Sequence, residues 1–284
     1  MGFNTADYLH ASIEAKKLAW ADRAAFYADP DRHNAVGADE LGSIWERLSS
    51  KEYARRQAQR VNMTRAATEV GEGTPMQQAV AVNKGEGDTI YSAFADSDGM
   101  MVSWIQSNFA GFGSKISAPG TGFALQNRGS LFALQPDNHP NIYKPGKRPF
   151  HTIIPAFALR DEQPWLAFGV MGGDFQSQGQ CQVFLNQVEF GMNPQEAGDA
   201  ARWSHGGSQQ PTGTPMMDSG GTITLETGVC EEVREELRRR GHTIRRAGPS
   251  TYGGYQCIRR EEQDGQVVYH GGTEMRKDGM VHGY

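Results

Sequence analysis

Asp88-Thr89 sets a hydroxyl residue where a glycine-rich polar segment gives way to a strand pattern. A threonine hydroxyl is a weak nucleophile unless a base sits beside it. One way to supply that base is to make the threonine the first residue of a chain, so that its own amino group takes the proton. A free α-amino group titrates near about 7.7–8.0, so part of it is neutral at pH 7. This chemistry requires cleavage of the 88–89 peptide bond. Taken alone, Thr89 equally suits an ordinary β-branched strand position.

Other positions offer chemistry with bland alternatives beside it. Gly172-Gly173 precedes Asp174 and a helix, so two backbone N–H groups gather near a helix start, as an oxyanion hole or as a tight turn with a cap. Gly-Gly-Asp-Phe lacks the lysine and spacing of a phosphate loop. Arg128, in Gln126-Asn127-Arg128-Gly129, is either a clamp for a substrate carboxylate or half of a structural ion pair. His151 is either a pocket residue, a base or a hydrogen-bonded structural imidazole, and His205 reads as structural. The run Arg238-Arg239-Arg240 near a helix C-terminus complements the dipole and reads as a solvated face. Cys181, Cys230 and Cys257 are odd in number and widely spaced, with no CxxC and no metal-ligand spacing. Free thiols in a reduced compartment, or in a periplasmic protein, fit better than a disulfide scaffold.

The elements that must position these residues follow from periodicity. Residues 5 to 27 read as an amphipathic helix capped by Thr5, with Tyr8, Ala11, Ala15, Leu18, Ala19 and Phe26 at helical spacing, ended by Asp29-Pro30. A second helix spans roughly 50 to 61, with Ser49 and Glu52 in capping-box spacing. Residues 62 to 88, with Gly71, Gly73, Pro75, Gly85 and Gly87, read as a flexible surface segment. From Thr89 a strand runs into the turn Asp96-Ser97-Asp98-Gly99 and returns through Met100 to Gln106. A strand over Pro164 to Val170 leads to Gly172-Gly173, then a helix over about 175 to 190 stops at Gly191. Asn193, Pro194 and Glu196 open another helix. A helix over about 227 to 240 ends at Gly241, and two closing strands flank Asp264-Gly265. There is no internal repeat. The mixture predicts an α+β layered domain.

Composition removes several classes. The chain has 284 residues, 38% hydrophobic and 21% charged, which is a globular balance. A net charge of −5 and a pI near 5.9 argue against nucleic-acid binding. No run of 18 apolar residues exists, so no membrane span is expected. The first residues lack the basic and apolar regions of a signal peptide, so the expected location is cytoplasmic, with periplasm or secretion open if a front end is missing. Glycine is 35 of 284 residues, above the usual share of about 7%, and implies many tight turns.

The pattern over nearly the whole chain resembles the γ-glutamyltransferase family of N-terminal nucleophile hydrolases. The resemblance rests on Thr5 to His10 through Ala21-Asp22-Arg23, on Ser50 to Ala54, and on Thr89 with Asp96-x-Asp98-Gly99. It continues through Phe112-Gly113-Ser114, Pro119-Gly120-Thr121-Gly122, Lys147-Arg148-Pro149, Gly172-Gly173 and Asp278-Gly279 to Gly283-Tyr284, all in the family's order. It implies a partial four-layer αββα sandwich. It implies Thr89 as the autoproteolytically exposed nucleophile, Ser107 as a supporting hydroxyl, and Gly172 and Gly173 at the oxyanion. His151 and Thr152 stand where a pair of serines helps hold the substrate carboxylate. It implies a zymogen that hydrolyses or transfers an acyl group, in glutathione metabolism or a related pathway, with a small amide or γ-glutamyl substrate and no cofactor or metal.

The departures are informative. Ile90 and Tyr91 follow the nucleophile where a threonine and a histidine are usual, and Phe109 stands where an asparagine is usual. Arg128 and Leu131 stand where a glutamine and an acidic residue hold the glutamyl amino group. Leu131 cannot bind an ammonium and Arg128 repels one, but Arg128 suits a carboxylate. The acylase and γ-glutamyltransferase-like branch therefore fits better than the glutathione type. The implied divisions are large-subunit-like helices over 1–61, a pre-cleavage segment over 62–88 and a small-subunit-like catalytic part over 89–284. The family's front half would precede residue 1. The chain is then either an enzyme part needing that large-subunit segment, with strand edges to be paired, or an inactive remnant.

Overall fold

The structure is a computed structural model that describes residues 1–32, 38–70, 87–213 and 219–283. Most of the expected flexible segment, 71–86, lies outside the described residues. The chain divides into two compact units, one of residues 1–83, 128–151 and 205–246, the other of 84–127, 152–204 and 247–284. No helix among the described residues is long and apolar enough to cross a membrane.

In the first unit, α1 (Ala6–Phe26) starts where Thr5 Oγ1 accepts from the Tyr8 N–H, as the cap predicts. Its buried face differs from the expected one. Ala15 and Ala19 are exposed, while Leu9, His10, Ile13, Glu14, Lys16, Lys17 and Leu18 are buried. The polar members of this set can be buried because each meets a partner: Lys17 Nζ lies 2.6 Å from Glu14 Oε1, and Lys16 Nζ donates to Ser208 Oγ at 2.8 Å. Then follow α2 (Ala38–Ser49), which the sequence reading lacked, and α3 (Lys51–Ala58). The cap of α3 is Ser50, whose Oγ accepts from the Tyr53 N–H at 3.1 Å. Ser49 instead belongs to α2 and donates to Trp45 O. Later in the same unit comes α6 (Glu231–Arg239), which begins after the expected 227 because Glu226 to Val229 form a turn. Arg240 is not a solvated side chain: it pairs with Asp7 at 2.6 Å and Glu236 at 2.8 Å, joining the end of α6 to the start of α1.

In the second unit, β1 (Gly87–Ala95) and β2 (Met101–Ala110) form the expected antiparallel hairpin. A four-stranded antiparallel sheet has the order β3 (Ala156–Arg160), β4 (Gln163–Met171), β8 (Gly254–Gln263) and β9 (Gln266–Thr273). A third sheet, which falls mainly in the first unit, joins β5 (Trp203–Gly206), β6 (Thr222–Leu225) and β7 (Ile244–Arg245). Trp165 to Val170 in β4 are all buried, the continuous apolar run of a strand covered on both faces.

One cover is α4 (Gln176–Val188), where Phe184 stacks on Phe168 and Gly179 lets Val170 and Phe175 come close. The other is β1, whose Tyr91 ring lies against Gly169. The helix α5 (Pro194–Asp199) has the predicted capping box and Gly198 packed on Tyr255. Helices, sheet and hairpin thus stack in layers, and the α+β, partial αββα expectation holds. Trp165, Leu166, Phe168, Val170, Phe175, Val183, Tyr252 and Tyr255 form its core, with roughly 1.5–3 kcal/mol for each large apolar side chain buried.

Candidate active site

Thr89 sits near the start of β1 and is buried. Its Oγ1 donates to Ser107 Oγ on β2 at 3.0 Å, and Ser107 Oγ also accepts from the Phe109 N–H at 2.9 Å. Hairpin register creates this pairing. Thr89 faces Ser107 and Asp88 faces Phe109, so Asn108 is an extra residue opposite the 88–89 peptide bond. Such a bulge re-aims side chains and is common beside functional sites. Phe109 adopts φ 78°, rare for a bulky residue.

Asn127 holds this irregular stretch. Its Oδ1 accepts from the Ala110 N–H, its Nδ2 donates to Ala110 O and Gly113 O, and its own N–H donates to Asn108 O at 3.1 Å. The sequence reading singled out its neighbour Arg128 and passed over Asn127. The only signal was an amide side chain in a glycine-flanked loop, the kind that bonds backbone groups.

Gly172 and Gly173 follow β4 and have φ 129° and 57°, which favours glycine at both places. A Cβ on Gly172 would lie 2.8 Å from Gly253 Cα, whereas one on Gly173 would meet nothing within 4 Å. A short 3-10 turn (Gly173–Phe175) contacts β1, so the glycine turn and the Thr89 strand are neighbours within the second unit. Thr152 belongs to this unit too and is half-buried.

Arg128 and His151 belong to the first unit. Arg128 opens a 3-10 turn (Arg128–Leu131) whose last carbonyl accepts from Asn141 Nδ2 at 2.9 Å. Its guanidinium is buried, and that burial pushes its pKa down. His151 is exposed. His205 is buried, with Nε2 2.9 Å from Gly220 O and Nδ1 3.1 Å from Lys16 Nζ, a structural setting as expected. Burial, and then the Lys16 charge, push it down to about 3. All three cysteines are free.

The profile of the family described as gamma-glutamyltranspeptidase matches residues 1–284. The chain belongs to that family. Among relatives, it is 31% identical over 279 residues to the glutathione hydrolase-like YwrD proenzyme of Bacillus subtilis, covering 98% of this chain and 47% of the relative. It is 32% identical over 239 residues to the oxamate amidohydrolase proenzyme of Klebsiella pneumoniae, covering 84% of this chain and 40% of the relative. The crystal structure of cephalosporin acylase from Bacillus halodurans superposes with a TM-score of 0.78 at 39% identity, over 99% of this chain and 45% of that one. The gamma-glutamyltranspeptidase family chain described here thus spans less than half the length of these relatives.

Proposed function

We propose that this chain carries the nucleophile half of an autoprocessing amidohydrolase or acyltransferase, with Thr89 as nucleophile. The observation that carries the reading is the part-buried Thr89 Oγ1–Ser107 Oγ hydrogen bond of 3.0 Å beside a bulge at the 88–89 bond. In self-cleavage, Thr89 Oγ attacks the Asp88 carbonyl carbon as its proton is relayed through Ser107 Oγ to the departing Thr89 nitrogen. The C–N bond to Thr89 breaks, leaving an ester on Thr89 Oγ and a free amino group. Water then hydrolyses the ester and frees the Asp88 carboxylate. In turnover, that amino group takes the proton from Thr89 Oγ as the oxygen attacks a substrate amide. The Gly172 and Gly173 N–H groups hold the oxyanion. The amine departs with a proton, and water or a second amine takes the acyl group. The functional divisions in this reading are 1–61, 62–88 and 89–284.

The substrate class is a small amide bearing a carboxylate, for which the family resemblance offers Arg128, His151 and Thr152 as candidate binding residues. Arg128 supports this, since a guanidinium matches a carboxylate with two parallel N–H donors, and Leu131 offers nothing to an ammonium. The names of two relatives, an amidohydrolase of oxamate and an acylase of cephalosporins, support amides other than γ-glutamyl compounds, while the glutathione hydrolase-like relative supports a γ-glutamyl one.

Intact-mass analysis of the purified chain tests the first step. The expected species begins at Thr89, and it is absent from Thr89→Ala. Uncut wild-type protein in which the amide substrates also stay intact would overturn the reading.

A second reading, that the chain acts only with a complementary large-subunit polypeptide, is favoured by one observation. Ile90, Phe94 and Trp104 lie on one face of the hairpin and are 55%, 57% and 56% exposed. Among the described residues, β1 pairs only with β2. Such a face invites cover. Co-expression with a front segment of the family, followed by gel filtration and assay, separates the readings: activity only in the co-eluting pair supports the second.

A further inference from the structure

We propose that His10, Glu14 and His242 form a binding site for a divalent transition metal of the zinc class. His10 and Glu14 are four residues apart on α1, so their side chains leave the same face of the helix. His242 follows the end of α6, one residue beyond Gly241. All three are buried in the first unit, and one ligand atom from each lies within 4.8 Å of the others.

The hydrogen bonds around the two rings suit ligation. His10 Nε2 lies 2.8 Å from the Asn62 carbonyl oxygen. A carbonyl only accepts, so that nitrogen carries the proton. The other nitrogen, Nδ1, keeps its lone pair and faces His242 Nε2 at 2.8 Å. A bond from the outer imidazole N–H to a backbone carbonyl is the arrangement that fixes the tautomer of metal-bound histidines. His242 Nε2 is therefore the donor of the bond to His10 Nδ1 in the metal-free chain. Moving its proton to Nδ1 frees Nε2 as the second donor without any net loss of a proton.

Glu14 supplies the third donor. Its Oε2 accepts from the Ala67 N–H at 3.0 Å and its Oε1 from Lys17 Nζ at 2.6 Å, and each oxygen keeps a further lone pair. Two imidazoles and a carboxylate form a set that selects zinc and its neighbours over calcium or magnesium. At metal–nitrogen distances of about 2.0–2.1 Å, tetrahedral donors stand roughly 3.3 Å apart. The two rings must therefore separate by about half an ångström and Glu14 must close in, which are small side-chain adjustments. Lys17 is the competing cation. It now neutralises Glu14, and its second bond, to Ala67 O at 2.8 Å, gives it a place to remain when the metal takes the carboxylate. Occupation would tie α1 to the end of α6.

The test uses the untagged chain, stripped with chelator and titrated with Co²⁺. The expected result is one equivalent per chain, with the intense visible absorption of a tetrahedral site, displaced by one equivalent of Zn²⁺. Glu14→Gln and His242→Asn should each weaken binding about 10-fold or more. Absence of that absorption in the wild type, or unchanged affinity in both variants, overturns the proposal. Should a variant fail to fold, the wild type labelled with ¹⁵N-histidine decides. Ring resonances of two of its eight histidines should move on Zn²⁺ addition, and eight unmoved histidines overturn the site.

Discussion

Thr89 Oγ1 and Ser107 Oγ lie 3.0 Å apart across the β1–β2 hairpin, and the Phe109 N–H donates to the same Ser107 oxygen. Ser107 Oγ therefore accepts twice, so its orientation is fixed by a backbone group before Thr89 reaches it. Eighteen residues of separation are turned into a direct contact, and the bulge at Asn108 brings the Phe109 amide to the same point.

Thr89→Ser is the informative partner of the alanine variant. The hydroxyl remains, so self-cleavage and turnover should persist. Losing the β-methyl frees χ1 and blunts positioning, which lowers the rate about 10-fold or more. Stability should change by about 1 kcal/mol or less in either variant. Processing on a gel, amidase turnover and urea denaturation check the three statements. An alanine variant that still cleaves at 88–89 would remove Thr89 from the mechanism.

Ser107→Ala should slow self-cleavage about 100-fold, the lower range for a positioned proton acceptor, while leaving the fold intact. Ser107→Thr should restore most of the rate, since a hydroxyl returns to the same register. Time courses of fragment appearance distinguish these outcomes. Equal rates in wild type and the alanine variant would show that the hydrogen bond holds only the folded strand.

Local signals were legible in the chain and distant ones were not. Asp96 to Gly99, the Asn193 capping box, Gly191 and Asp264-Gly265 act within a few residues, and each appears where expected. The α1 face was misread because Glu14, Lys16 and Lys17 find partners at Ala67, His205 and Ser208, far away in sequence. No helical period can announce such partners. β5 and β7 are four and two residues long, too short for an alternating pattern. At the candidate site, the types of Thr89 and the glycine pair were readable. The bulge and the Asn127 clamp were not, since both depend on register. His10 and Glu14 share a helix face, but their third companion lies after α6.

At Gly169 the hairpin ring of Tyr91 presses on the sheet. A Cβ there would stand 2.3 Å from Tyr91 Cδ2, so Gly169→Ala must push β1 off the sheet or turn the ring. The expected loss is about 1–3 kcal/mol, the range for overpacking, with slower self-cleavage because Tyr91 is two residues from Thr89 on the same face. Tyr91→Leu combined with Gly169→Ala should recover part of that loss. A double-mutant cycle by chemical denaturation measures the coupling, and additive losses would mean that the two residues do not press on one another.

His205 gives the chain a pH-dependent stability of predictable sign. Its folded pKa is pushed down to about 3, below the unfolded value of about 6.5. The unfolded state therefore binds more protons between these values, and stability rises with pH where that holds. The contribution is complete above about pH 6.5 and is lost as the pH falls toward about 3, with a limiting slope of about 1.4 kcal/mol per pH unit for one such group. Because Nε2 bonds Gly220 O and Nδ1 faces Lys16 Nζ, protonation would set two cations together in a buried site. His205→Gln removes the titrating group and keeps an amide for the two partners. Unfolding free energies measured in urea from pH 7 down to pH 4 should fall less steeply for His205→Gln than for wild type. Parallel curves would mean that His205 is not the group through which acid acts.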